Sequence, residues 1–190
     1  MHHLFLKPKK NTGPKRLRKA SSWLLCCILS CFFYPSAQAE FLGLPDEDLI
    51  IYPSQLLKDG QKQTKSIIGL FTDIDCEFCQ EQHHEISKLN AKGVEVRIIA
   101  FPRSADAKTK ASWLYVFCNE NPKLALNQIM SHPDNTVLPK NNHCSNPINK
   151  HLDLVKKYKI RGTPATILSP ENIHSGFLSA KEILNLIKEL

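Results

Sequence analysis

Hydrophobic and polar positions along residues 66–190 follow two alternating periods. Ser66–Thr72 (SIIGLFT) and Val94–Phe101 (VEVRIIAF) are short runs of strand-forming residues. Between them, Cys76 to about Ala91 has helical spacing, with Phe78, Ile86 and Leu89 as its apolar positions and Gly93 beyond its end. Helical spacing returns from Ala105 to about Asn119, and again over Pro122–Met130, where proline occupies the first turn. Residues 131–146 read as a polar loop, and Pro147–Tyr158 as a helix through Ile148, Leu152 and Val155. Ala165–Leu168 and Ile173–Phe177 are predicted strands on either side of the turn Ser169-Pro170-Glu171-Asn172. Ser179-Ala180-Lys181-Glu182 is a capping box opening a last helix with Ile183, Leu186 and Ile187 on one face. Residues 40–65, broken by Pro45, Pro53 and Gly60, show no core-forming pattern beyond a patch at Leu49–Tyr52. The order β-α-β-α…β-β-α predicts an α/β domain over 66–190 whose last two strands form an antiparallel hairpin.

Charge changes the picture of the first 39 residues. The chain has 190 residues and a formal net charge of +7, from 25 Lys+Arg against 18 Asp+Glu. Seven of the basic residues (Lys7, Lys9, Lys10, Lys15, Arg16, Arg18, Lys19) precede Glu40, and no acidic one does. The remainder is balanced at 18 and 18, so its composition argues against a nucleic-acid-binding body. The basic stretch is followed by an apolar run from Trp23 to Phe33, then Pro35, then Ala37-Gln38-Ala39. Those are the three parts of a signal peptide, with cleavage expected after Ala39. The apolar run is about 11 residues where a bilayer needs roughly 20, which argues against a permanent span. An uncleaved membrane anchor and lipid attachment at Cys31 are the alternatives.

Export changes the cysteine count. Cys26, Cys27 and Cys31 would leave with the leader, and Cys76, Cys79, Cys118 and Cys144 would remain. Four cysteines in an oxidising compartment suggest disulfide chemistry, and they allow three pairings. Cys76-Glu77-Phe78-Cys79 falls where the first predicted strand hands over to the first helix. A cysteine at a helix N-terminus meets unpaired N–H groups and the positive end of the dipole, which favour its thiolate. A second cysteine one turn later can attack a mixed disulfide formed by the first. Far along the chain, Arg161-Gly162-Thr163-Pro164-Ala165 leads directly into a strand, a place compatible with a cis proline.

Phe71-Thr72-Asp73-Ile74-Asp75-Cys76-x-x-Cys79, Ala100-Phe101-Pro102-Arg103, the Cys118/Cys144 pair and Gly162-Thr163-Pro164-Ala165 together resemble the catalytic domain of the periplasmic DsbC/DsbG disulfide isomerase family. The resemblance covers roughly 48–190. It implies a thioredoxin-like α/β fold with a helical insertion, the CxxC at the N-terminus of the first helix and a cis proline before the third strand. It implies Cys76 as exposed nucleophile, Cys79 as resolving thiol, and a structural disulfide between Cys118 and Cys144. It also implies that Pro164 is cis beside the pair and that the Thr163 backbone pairs with an extended substrate segment. Threonine before that proline is closer to the isomerases than to the oxidising DsbA type.

The implied activity is thiol–disulfide interchange on cysteine-containing exported proteins in the periplasm, without a cofactor or metal. The implied redox partner lies in the membrane, a DsbD-like reductant or a DsbB-like oxidant. A dithiol oxidase and a non-catalytic assembly protein using the fold as a peptide groove are the other readings. DsbC and DsbG also carry an N-terminal dimerisation domain. The 26 residues from Glu40 to Lys65 are too few for one, so a monomer is expected. Asp73, Asp75 and Glu77 put negative charge near Cys76, which opposes its thiolate and predicts a potential below the roughly −120 mV of DsbA.

Other residues are weighed against structural roles. His83 lies four residues after Cys79 and could share a helix face with both cysteines, a spacing that permits metal binding, but a helix-surface position is the simpler reading. Trp113, Tyr115 and Phe117 are expected in the core rather than in a groove, and Lys156, Lys157 and Lys159 on a solvated face.

Overall fold

The structure, a computed structural model, describes residues 42–55, 64–104, 106–132, 144 and 146–190. Every described residue belongs to one compact unit, Ser36–Leu190. The leader, its cleavage site and most of the 131–146 loop lie outside the described residues.

Five strands form one mixed sheet in the order β1-β3-β2-β4-β5: β1 Ile50–Tyr52, β2 Ser66–Thr72, β3 Val94–Ala100, β4 Ala165–Ser169 and β5 Asn172–Ser175. β2 and β3 run parallel, with Phe71 opposite Ile99. A parallel pair needs a crossover, and α1 (Glu77–Asn90) supplies it. β4 pairs antiparallel with β2, and β5 with β4. The remaining helices are α2 Ala107–Phe117, α3 Pro122–Ser131, α4 Ile148–Lys157 and α5 Ala180–Lys188.

The helix boundaries follow local chemistry. The Asp106 side chain accepts from Thr109 N to open α2, and that of Asn121 accepts from Leu124 N ahead of Pro122 in α3. Ser179 and Glu182 complete both halves of the capping box on α5. β5 ends at Ser175 because Gly176, at φ 90°, turns the chain and donates its N–H to Pro164 O.

Strand alternation sends side chains to two cores. Ile68, Leu70, Val96 and Ile98 face a cluster with Ile86 and Leu89 of α1, Leu126 and Ile129 of α3, and Ile183 of α5. Phe71, Ile99 and Ile167 face the opposite cluster, with Leu154 and Val155 of α4. Trp113 is fully buried, while Tyr115 and Phe117 are partly buried against the first core, as the pattern predicts.

The patch at Leu49–Tyr52 has a larger role than its sequence suggests. Ile50, Ile51 and Tyr52 pair antiparallel with Ile98, Arg97 and Val96, making β1 an edge strand. Three residues ending at Pro53 are too few to display a period of two, so only the partner strand reveals them. Leu42 is fully buried in the α4-side core. Gly69 makes room for it: a Cβ there would lie 2.6 Å from Ile167 Cγ2, 3.0 Å from Ile99 Cδ1 and 3.1 Å from Leu42 Cδ2. Gly69→Ala is therefore expected to destabilise the fold by about 1–3 kcal/mol through overpacking. An unchanged urea midpoint would show that the three side chains repack freely.

Next to it, β3 buries a charged pair. Arg97 donates through Nε and Nη2 to Glu95 Oε1 at 3.0 Å, and through Nη1 to the exposed Asp46 at 3.0 Å. Burial of both charges is tolerated because they meet each other.

Candidate active site

The candidate site is built where β2 and β3 end. Phe101 N donates to Thr72 O at 2.7 Å, holding the two strand exits together. The connection 73–75 is tied at each residue. Asp73, 1 % exposed, accepts through Oδ2 from Arg103 N at 3.0 Å, with Arg103 Nε at 3.5 Å. Ile74 O accepts from Gln80 Nε2 at 3.1 Å, and Asp75 accepts from Thr109 Oγ1. These bonds deliver Cys76 to the N-cap of α1, with Cys79 N and Gln80 N donating to its carbonyl at 2.9 and 3.0 Å. No side chain caps that helix end, so its free N–H groups and dipole act on the sulfur of Cys76.

Both cysteines are free thiols, and both are buried. Cys76 is only 4 % exposed, less open than the resemblance implies, because its thiol lies against Thr163 and donates to Thr163 O at 3.4 Å. The Thr163-Pro164 peptide is cis, and Pro164 is buried at the start of β4. Cys79 is fully buried. Burial pushes its thiol up to about 12, the Cys76 side chain adds to the rise, and Thr163, the Asp73 backbone and Thr72 pull the other way. At neutral pH Cys79 is thus protonated, which leaves Cys76 as the residue suited to open an attack.

The acids flanking the pair are less free than their sequence positions suggest. Asp73 faces the Arg103 guanidinium, Asp75 is held by Thr109, and Glu77 is exposed.

α1 presents Cys79, Gln82, Ile86, Leu89 and Asn90 to the interior. Phe78, expected on that apolar face, is instead 60 % exposed, because it sits at the edge of the stripe that Cys79 begins. Gln82 ties the segment beyond β5 to α1: its Nε2 donates to Leu178 O at 2.7 Å, and its Oε1 accepts from Leu178 N at 2.8 Å. His83 is half-buried, with Nε2 2.8 Å from Asn127 Oδ1 and 3.2 Å from the Tyr52 hydroxyl. It serves the packing of β1, α1 and α3. Cys118 and Cys144 are joined by a disulfide, Cα to Cα 5.5 Å.

Sequence reasoning missed the supports of the site. Arg103 entered only as part of a family motif, Tyr52 only as the end of an apolar patch, and Gln80, Gln82 and Thr109 not at all. Their contacts join residues 6 to 96 positions apart, and no local spacing reports them.

Residues 53–190 match the thioredoxin-like domain family. Over 144 residues the chain is 28% identical to the thiol:disulfide interchange protein DsbC of Haemophilus influenzae, covering 75% of this chain and 58% of that protein. It is 28% identical over 149 residues to DsbC of Escherichia coli, covering 78% and 58%. The chain thus spans less than two thirds of the length of these curated relatives. The catalytic domain of Proteus mirabilis ScsC superposes with a TM-score of 0.60 at 20% identity, covering 78% of this chain and 92% of that one. A periplasmic thioredoxin-like protein from Salmonella enterica serovar Typhimurium gives 0.60 at 18%, covering 83% and 98%. Fold, matched residues and relatives agree: the chain belongs to the thioredoxin-like domain family.

Proposed function

We propose that this protein is a thiol–disulfide oxidoreductase of the isomerase or reductase type, acting on cysteine-containing exported proteins. The observation that carries this reading is the pair of free thiols at the start of α1, one at the N-cap against Thr163 O and the other buried one turn on. In the reducing direction the Cys76 thiolate attacks one sulfur of a substrate disulfide. The Cys76–substrate S–S bond forms, the substrate S–S bond breaks, and one substrate thiolate leaves and takes a proton. Cys79 then gives up its proton and attacks Cys76 Sγ, closing Cys76–Cys79 and releasing the second substrate thiol. Two electrons and two protons pass to the substrate. Isomerisation stops at the mixed disulfide and lets another substrate thiol displace Cys76. Oxidation of a client is the same sequence reversed. Thr163 O meets the Cys76 thiol, and the Thr163 backbone with the cis Pro164 that follows it is the contact proposed for an extended substrate segment.

The leader 1–39 is proposed to export the chain to the periplasm, with cleavage after Ala39 or retention as a membrane anchor. No helix among the described residues is long and apolar enough to cross a membrane. A membrane redox partner, DsbD-like or DsbB-like, would reset the pair. Thiol trapping in intact cells separates the two: a mostly reduced pair indicates the reductant, a mostly oxidised pair the oxidant.

The test of the chemistry is capture. Cys79→Ser leaves the attacking thiol without its resolving partner and is expected to accumulate a dithiothreitol-sensitive mixed disulfide with a reporter such as insulin. Cys76→Ser, incubated in parallel, is expected to yield none. Equal capture by both variants, or capture only by Cys76→Ser, would overturn the assignment of roles.

A further inference from the structure

Between α2 and α4, apart from the cysteine pair, lies a cleft of about 480 Å³. Its walls are apolar, from Pro102, Leu114, Ile148 and Leu152, and its polar groups are Arg103, Ser104, Lys110, Asn146 and Asn149. No carboxylate lines it among the described residues. We propose that this cleft binds the free C-terminal carboxylate of a peptide with apolar last residues.

Each part of the ligand answers to something in the cleft. Arg103 and Lys110 both line the cleft, and among the described residues no acid does, which selects an anion. The nearby acids are already occupied: Asp73 accepts from Arg103 N and faces its Nε, leaving both Nη atoms for a ligand, and Asp106 is held by Ser104 and Thr109. Lys110 has no ion-pair partner among the described residues. A guanidinium and an ammonium together suit a carboxylate, through charge-assisted hydrogen bonds in a partly apolar setting. α4 begins here with Ile148, so the positive end of its dipole adds to the same field. Leu114, Ile148 and Leu152 provide a surface for aliphatic side chains, and the volume lies within the range of small-ligand pockets. A bare fatty acid would fit the charge and the walls but leave the carboxamides of Asn146 and Asn149 without a use. Asn146 Oδ1 accepts from Ile148 N at 3.0 Å, which frees its Nδ2 for a peptide carbonyl. Peptide groups meet that requirement.

Pro102 and Arg103 connect the cleft to Asp73, three residues before Cys76. A polypeptide held here by its terminus sits on the Asp73–Arg103 side of the cysteine loop. The binding itself does not depend on thiol chemistry, so the probes contain no cysteine.

The experiment uses the intact oxidised protein and fluorescence anisotropy of dye-labelled Ala-Leu-Leu-Leu, as the free acid and as the C-terminal amide. The acid is expected to bind at least about tenfold more tightly than the amide, and to weaken as salt is raised. Lys110→Glu, at an exposed helix position, is expected to weaken the acid at least about tenfold and leave the amide unchanged. Its rate of insulin reduction should match that of the parent, because Lys110 has no part in the thiol site. Equal binding of acid and amide, no effect of Lys110→Glu, or no binding of either peptide at millimolar concentration overturns the proposal. Decanoate displacing the peptide acid at lower concentration than unlabelled peptide overturns it in favour of a fatty-acid site.

Discussion

Replacing His151 with leucine is expected to cost about 3 kcal/mol of stability at pH 7.5 and clearly less at pH 4.5. His151 is fully buried on α4. Its Nδ1 accepts from Ala100 N at 2.9 Å, so the ring proton sits on Nε2, which donates to Asp48 O at 2.7 Å. One imidazole thereby joins the exit of β3 to the segment preceding β1, and Phe117 packs edge-on against it at 5.4 Å between ring centroids. Leucine fills much of the volume but leaves a buried N–H and a buried C=O unpaired, at about 1–3 kcal/mol each.

The pH dependence follows from the same bonds. Burial lowers His151 from 6.5 to about 4, against the opposing pull of the Asp48 carbonyl and carboxylate, with Lys150 adding to the lowering. Protonating Nδ1 would remove the acceptor of Ala100 N. Above about pH 6.5 the ring is neutral in both folded and unfolded chains, and its contribution is fully present. As the pH falls from there toward 4 the unfolded chain binds the proton first, so stability is lost across that window. The shift corresponds to an upper limit of about 3 kcal/mol. Urea unfolding at the two pH values measures it. If His151→Leu costs the same at both, the ring is not held neutral and this account fails.

The second large effect concerns the Cys118–Cys144 disulfide. It closes a loop with a sequence separation of 26 that runs from the C-cap of α2 through α3. The chain-entropy relation for a loop of that size gives about 3.5 kcal/mol, lost in the Cys118→Ala/Cys144→Ala double variant. The loss is expected in denaturant midpoints with insulin reduction under native conditions unchanged, because Cys76 and Cys79 remain. A double variant of full stability and lost turnover would instead make the pair a redox relay.

The local chemistry of the chain was legible because it repeats at short range. The runs of strand formers at Ser66–Thr72 and Val94–Ala100, the proline in the first turn of Pro122–Ser131 and the Ser179/Glu182 capping box each depend on neighbours within a few residues. So does the placement of Cys76 and Cys79 one turn apart at a helix start, which is why the candidate chemistry could be read before the fold. Phe78 shows the limit of that reading: periodicity put it on the apolar face, and packing left it in solvent.

What tertiary structure alone decided is which distant groups meet. Three residues at Ile50–Tyr52 become a strand because β3 offers an unpaired edge. Gly69 is required because Leu42 fills the space above it. The acid three residues before Cys76 is answered by Arg103, 30 positions away, and the histidine of α4 reaches Asp48 across 103. Backbone periodicity encodes the faces of helices and strands, since those follow from 3.6 and 2 residues per repeat. It carries no information about which faces are brought together. That is decided when the apolar surfaces bury one another, and only then do Cys76, Thr163 and the charges around them share one site.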